Sequence, residues 1–281
     1  MSRRFIPPRI SQAIALAILW LLTALTVGLL LAIVAFVLRK GLPEVSLTFL
    51  SEGPKDMGRA GGILPMIVGT LYVTACGIVV ATPLGLGTAI YLTEYTREGW
   101  LTKMVRFGAE CLAGVPSIIF GLFGFVFFVI YLGMGWSVLA GGLTLAFMIL
   151  PTVIRTAEEA IRSVPAAYRE VSYTLGASKW QTIVKVVLPS ALPGIATGLI
   201  LGIGRSISET AAVIFTAGSS LKMPVSVFDP ARTMSVHFYL LAREGISLPK
   251  AYATAAVLVI AILAINVTAY TLMSRFLRKF R

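Results

Sequence analysis

Six stretches of this 281-residue chain are apolar for long enough to cross a bilayer, and most of the polar residues lie between them. About 20 consecutive apolar residues span the hydrocarbon core as a helix. The runs lie near Ile14–Leu38, Ile63–Tyr91, Phe107–Leu132, Trp136–Ile154, Ala191–Thr216 and Ala251–Met273. Gly133 and Gly135 leave only a short turn between the third and fourth runs, which form a hairpin. The pattern predicts an all-α polytopic membrane protein with about six transmembrane helices. The first run is too long for a signal peptide and lacks a clear small-residue cleavage site, so it is expected to be retained.

The runs differ in texture. Ile14–Leu38 has few small or polar interruptions and reads as a peripheral, lipid-facing helix. Ile63–Tyr91 carries Pro65, Gly69, Thr70, Thr74, Gly77, Pro83, Gly85 and Gly87. Small residues let helices approach closely in lipid, so this span is expected to be buried among others. Phe107–Leu132 holds Gly114, Pro116, Ser117, Gly121 and Gly124: a kinkable helix suited to packing or to contact with a substrate. Between the spans, Gly41–Gly62 reads as a loop and Thr233–Gly245 as a short surface helix containing the sole histidine, His237, an interfacial side chain or a ligand.

Ala191–Thr216 is the one run with opposite charges inside it, Arg205 and Glu209. On a continuous helix Arg205 lies roughly 18 Å from Pro193, past the middle of the hydrocarbon core. Gly194, Gly198, Arg205, Glu209, Ala212 and Thr216 then share a sector of roughly 60°. A charge at that depth faces a bundle interior or a watery cavity. Two readings follow. Either Arg205 and Glu209 are a structural ion pair locking helices, or they line a transport path, with Arg205 meeting an anion and Glu209 balancing it. A guanidinium offers paired donors to two oxygens of an oxyanion.

Composition sharpens the class. The chain is 57% hydrophobic and 13% charged, more apolar surface than a soluble domain can hide. Its net charge of +12 is spread over several loops, which argues against nucleic acid and for a topology signal. With the N-terminus inside, inner segments hold 15 Lys and Arg, outer segments 8, and Arg205 completes the 24. The bias puts both termini in the cytoplasm. Cys76 and Cys111 lie within spans and have no metal-ligand spacing, so free thiols are expected. The chain has no phosphate-cradling glycine loop and no nucleophile triad. It is not expected to be an enzyme or to hold a cofactor, and any ATP would be bound by a partner.

The longest polar run on the inner side is Tyr168–Pro189, between spans four and five. Pro165 suits the first turn of a helix over Ala166–Leu175. Gly176 fits a left-handed helix end, and Ser178 can cap a second helix from Lys179. Pro189 and Pro193 should stop that helix and start the next span. The order Glu170, Gly176, Val186, Leu188-Pro189 resembles the cytoplasmic loop of binding-protein-dependent ABC importer permeases. That family's pattern is Glu-Ala-Ala, three residues, Gly, nine residues, Ile, one residue, Leu-Pro. Val171 and Ser172 replace the two alanines and Val186 replaces Ile. The resemblance implies two short coupling helices that dock into a groove on an ATPase subunit, with coupling roles for Glu170, Gly176, Leu188 and Pro189.

Other stretches resemble the phosphate-type members of that family. They are GGILPMIVGTLYVT (Gly61–Thr74), LAGVPSIIFGLFGF (Leu112–Phe125) and the Gly-Arg-x-x-x-Glu-Thr-Ala of Gly204–Ala211, where Ser208 replaces the usual Gly. PLGLGTAIYLTEY (Pro83–Tyr95) is shared more widely. The resemblance implies a multi-pass subunit of the bacterial cytoplasmic (inner) membrane that helps import inorganic phosphate. Its partners would be a second related permease chain, two ATPase subunits and an extracytoplasmic phosphate-binding protein. Residues 1–62 would form the tail, first helix and outer loop, and residues 63–281 the permease core, with its coupling loop at 155–190. The same importer class working on sulfate, molybdate or phosphonate is the first alternative. A passive channel or scaffold is the second.

Overall fold

Three helices meet at backbone distance because glycines face one another. The computed structural model describes residues 8–278. Arg3, Arg4, Lys279 and Arg281, counted above as inner cations, lie outside the described residues. Helix α1 (Pro8–Gly41) leads through α2 (Leu47–Ser51) and a two-strand hairpin, β1 (Pro54–Lys55) with β2 (Ala60–Gly61), into α3 (Leu64–Ile90). Then come α4 (Trp100–Ala113), α5 (Ser117–Gly124), α6 (Val138–Arg162), α7 (Ala166–Thr174) and α8 (Lys179–Thr182). The chain continues as α9 (Leu188–Ser208), α10 (Ala211–Thr216), α11 (Met234–Arg243) and α12 (Leu248–Arg278). Five helical segments are long and apolar enough to span a membrane, or six if one bent pair counts as a span.

The core is the α3–α6–α9 layer. A Cβ added at Gly77 would sit 3.1 Å from the Gly142 carbonyl oxygen, and one at Gly85 would press on Val153. Across the other side of α6, Gly194 rides over Ala160 and Gly198 over Thr156. Val73, Leu145, Met148 and Ile149 fill the space between. Close backbone approach suits helices in lipid, where transfer of apolar side chains between helix and lipid gains little. By contrast α1 is exposed along most of its length and leans on α12, where Phe36 meets Tyr252 edge-on at 5.9 Å. It is peripheral to the layer, as its plain sequence predicts.

Four features depart from the sequence reading. The third run is broken rather than one continuous helix: α4 and the segment Ser117–Tyr131 are bent by 101°. Pro116 supplies no backbone donor there and Gly114 ends α4. Pro189 and Pro193 do not stop a helix. The helix runs from Lys179 to Ser208 through a π turn at Ile183–Val187, which absorbs the ladder positions that a proline leaves empty. The fifth run itself breaks, because Glu209 is extended (φ −70°, ψ 130°) between α9 and α10. And a short hairpin interrupts the otherwise helical chain.

At the end of the bundle away from the Tyr168–Pro189 loop, the connecting segments pack onto one another. Thr70 Oγ1 accepts the Met234 backbone N–H at 2.9 Å, and Arg232 Nε donates to the Ser219 carbonyl at 2.9 Å. His237, read as interfacial or a ligand, is instead 1% exposed. Its ring lies against Gly58, whose φ of +100° and missing Cβ make room. Arg232 Nη1 is 3.4 Å from His237 Nδ1, so that nitrogen is the acceptor. Burial, and then the Arg232 charge, push the imidazole pKa down from 6.5 to about 4. Burial also lowers the Arg232 guanidinium, countered by Glu244.

A base whose folded pKa lies below its unfolded value is protonated first in the unfolded chain as pH falls. Stability is therefore full above the unfolded value of 6.5 and is lost between there and about 4. Between about pH 7.5 and about pH 5 the loss is on the order of 2 kcal/mol. Thermal midpoints of the detergent-solubilised chain should fall across that interval, and His237→Gln should flatten the dependence. An equal slope in the variant would assign it to other groups.

Candidate functional site

The Tyr168–Pro189 loop has the local geometry its residues foretell. Pro165 stands just before α7 with φ −56°. Gly176 closes the helix in the left-handed region at φ +80°, with its N–H donating to the Tyr173 carbonyl. Ser178 caps α8 reciprocally: its Oγ accepts the Gln181 N–H at 3.3 Å, and Gln181 Oε1 accepts the Ser178 N–H at 2.9 Å. Between the two helices the buried hydroxyls of Ser172 and Thr182 bond at 2.9 Å. Ser172, which replaces one family alanine, thus gains a partner.

The other face of this helical pair is open. Tyr168, Val171, Leu175 and Trp180 are exposed, Leu175 by 82%, and Glu170 stands beside them. Single exposed apolar residues need no explanation, but a contiguous ridge on a polar loop fits a protein partner. Among the described residues, the Glu170 carboxylate has no ion pair or hydrogen bond. Leu188 packs into the cluster of Ala157, Ile161 and Ile195, and Pro189 is exposed as the chain enters α9. The four residues assigned to coupling therefore lie along one motif. Glu170 and Gly176 are in its open part and Leu188 is in its root.

Charges the sequence reading passed over hold this loop to the bundle. Arg169 Nε and Nη2 donate to Glu94 Oε1 at 3.0 and 2.7 Å. The same guanidinium donates to the Val164 carbonyl at 2.8 Å and to the Ile161 carbonyl at 3.0 Å, where α6 ends. Nearby, Glu158 takes Arg106 Nε at 2.8 Å and Arg162 Nη2 at 3.1 Å. A cavity of about 450 Å³ opens beside that pair, between α4 and α6. These carboxylates and cations sit at run ends, the one signal the sequence offered. Their partners are 52 and 75 residues away.

The structure does not bring Arg205 and Glu209 together. Arg205, in the last turn of α9, is exposed, and among the described residues it has no ion pair. Glu209 Oε1 instead accepts the N–H groups of Thr210 at 3.1 Å and Ala212 at 3.3 Å, at the start of α10. Its backbone carbonyl takes the Ser235 hydroxyl at 2.6 Å. The break at Glu209 undoes the shared face as well, since Gly194 and Gly198 pack on α6. The structural-lock reading loses its ion pair, and so does the balancing role given to Glu209. Ser208 bonds only locally, to the carbonyls of Gly204 and Arg205 at 3.0 Å each. Beyond the break, Thr210 lines a cavity of about 950 Å³ with Trp136, Ile214, Phe238 and Arg243.

Known proteins are similar to this chain in sequence and in fold. The chain is 33% identical over 278 residues to the probable ABC transporter permease protein YqgI of Bacillus subtilis (strain 168), covering 93% of this chain and 94% of that one. It is 38% identical over 213 residues to phosphate transport system permease protein PstA 1 of Mycobacterium tuberculosis (strain CDC 1551 / Oshkosh), covering 75% and 70%. Its fold matches a chain in the crystal structure of a bacterial ABC transporter involved in the import of alginate. There the TM-score is 0.65 at 18% identity, over 95% of this chain and 99% of that one. The family described as binding-protein-dependent transport system inner membrane component matches residues 81–281, and this chain is a member of that family.

Proposed function

We propose that this chain is a permease subunit of an ATP-driven importer of inorganic phosphate. The observation that carries the reading is the docking loop: two capped helices joined by left-handed Gly176, with an exposed apolar ridge and Glu170 facing outward. Relatives named as phosphate permeases support the choice of cargo. In this reading the loop and both termini are cytoplasmic, residues 63–281 form the core, and ATP is bound and hydrolysed by two partner subunits. A second, related permease chain completes the pathway, and an extracytoplasmic binding protein delivers the anion. Arg205 is the anion contact, since it is a cation near the end of a spanning helix with no carboxylate paired to it among the described residues. Glu209 serves the path by capping α10 and fixing where the fifth span breaks. The test of cargo is uptake into vesicles holding the assembled complex. Phosphate should drive it, and a response to sulfate or molybdate alone would reassign the substrate.

Arg205→Lys keeps the charge and loses the paired donors. Uptake should drop at least about 10-fold, the equivalent of one charge-assisted hydrogen bond, with assembly unchanged. Normal uptake by Arg205→Lys or Arg205→Leu would remove Arg205 from the path. Glu209→Gln should stay close to the unaltered chain, because an amide oxygen accepts the same two N–H groups. Glu209→Ala, which removes the cap, should cost about 1 kcal/mol of stability.

A side chain at Gly176 would meet nothing within 4 Å, so only the backbone objects to it. Gly176→Val should strain the left-handed turn by about 1–2 kcal/mol and weaken co-purification of the ATPase. Gly176→Asn, which tolerates that conformation, should bind it almost normally. Equal binding by both would separate the docking role from the turn.

A further inference from the structure

We propose that Glu94 and Arg169 form a strut that makes the second span move with the docking loop. The inference rests on the reading of the chain as an ATP-driven permease and adds a route for the motion. The loop is joined covalently to α6 at one side and to α9 at the other. Helix α3 has no such link. Yet its inner end, a π turn over Tyr91–Tyr95, reaches both docking helices. Glu94 takes two donors from Arg169 on α7, and Lys179 Nζ of α8 lies 4.8 Å from the centroid of the Tyr95 ring.

Arg169 is the only residue among those described that bonds Glu94, and its guanidinium binds three places at once. Nε and Nη2 take the carboxylate, Nη1 takes the Val164 carbonyl, and Nη2 also takes the Ile161 carbonyl. The end of α3, the end of α6 and the first docking helix are thereby tied at one group. Side-chain exposure is 7% for Glu94 and 20% for Arg169, so little water screens the pair, and separating it would strand a carboxylate. The Ser172–Thr182 bond passes the same hold to α8.

Adjacent residues divide the work. Glu170 points outward, where a partner can reach it, while Arg169 points back into the bundle. Force applied to the loop therefore arrives at α3 through Arg169 and at α6 through the carbonyls it caps. Arg169 is a positioning residue. It touches neither cargo nor nucleotide, and a lysine in its place lacks the fork to bridge a carboxylate and two carbonyls.

The measurement is phosphate moved per ATP hydrolysed by the complex reconstituted with its ATPase and binding protein. Glu94→Ala and Arg169→Lys should leave the ATPase bound and hydrolysing, while that ratio falls about 10-fold. A fold defect would lower bound ATPase and uptake together and leave the ratio alone. Should Glu94→Ala fail to assemble, Glu94→Gln reads the same ratio with the shape kept. Tethering Glu94→Cys to Arg169→Cys with a short bis-maleimide, in a chain whose Cys76 and Cys111 are replaced by Ser, should restore the ratio, since the two ends are expected to travel together. An unchanged ratio in the assembled variants overturns the strut. So does a tethered complex that hydrolyses ATP without uptake, or joint loss of ATPase binding and uptake in Glu94→Gln as well as in Glu94→Ala. If the unaltered complex moves another oxyanion, the ratio is taken with that anion. If it moves none, the functional reading falls and the strut with it. Normal coupling in the unaltered complex with an unchanged ratio in the variants sinks the strut alone.

Discussion

Everything in this fold depends on the glycine contacts that bring α3, α6 and α9 to backbone distance. A side chain moved from lipid to a helix interface gains little by leaving lipid, so close van der Waals fit has to hold the layer. Gly77 against Gly142, Gly194 over Ala160 and Gly198 over Thr156 are where that fit is made. Once these three axes are fixed, α6 delivers the chain to the Tyr168–Pro189 loop and α9 takes it back. Helices α1 and α12 need only cover the outside, and α1 is correspondingly plain in sequence and exposed in structure.

The charged groups of that layer lie towards its two ends, and each end solves its desolvation in its own way. At the loop end the carboxylates Glu94 and Glu158 are met by arginines, with every short contact charge-assisted. At the other end Arg232 has no short carboxylate contact among the described residues. It is satisfied by a carbonyl and a neutral imidazole. Burial favours the uncharged form of a neighbour beside a fixed cation, which is why His237 stays neutral.

What could be read in advance followed the range of the interaction. The loop was legible because capping is local: Gly176 and Ser178 act on the helix ends within a few residues of themselves, and Gln181 then completes the cap. The exposure of α1 and the burial of α3 among other helices were legible from residue size alone. The pairing of Arg205 with Glu209 was misread because it assumed an unbroken helix. Nothing in the run Ser206–Ala212 forbids helix, and the break depends on Glu209 capping α10 while Ser235, 26 residues on, bonds its carbonyl. Pro189 and Pro193 were misread for the opposite reason, since a π turn can carry a helix past proline and leaves no mark in composition. Arg162 lies one helical turn from Glu158, but Arg169 as partner of Glu94 and Arg106 as partner of Glu158 were beyond reach, since no periodicity links residues so far apart.

The π turn at Ile183–Val187 makes α8 and α9 one rod, and a rod is a lever. The 21 residues of α9 extend roughly 31 Å beyond that turn at 1.5 Å per residue. A tilt of about 5° at the loop therefore carries the far end, with its exposed arginine, sideways by about 3 Å on the same geometry. That is close to the length of a hydrogen bond. On that geometry a displacement that is small at one surface reaches the scale of a polar contact near the other.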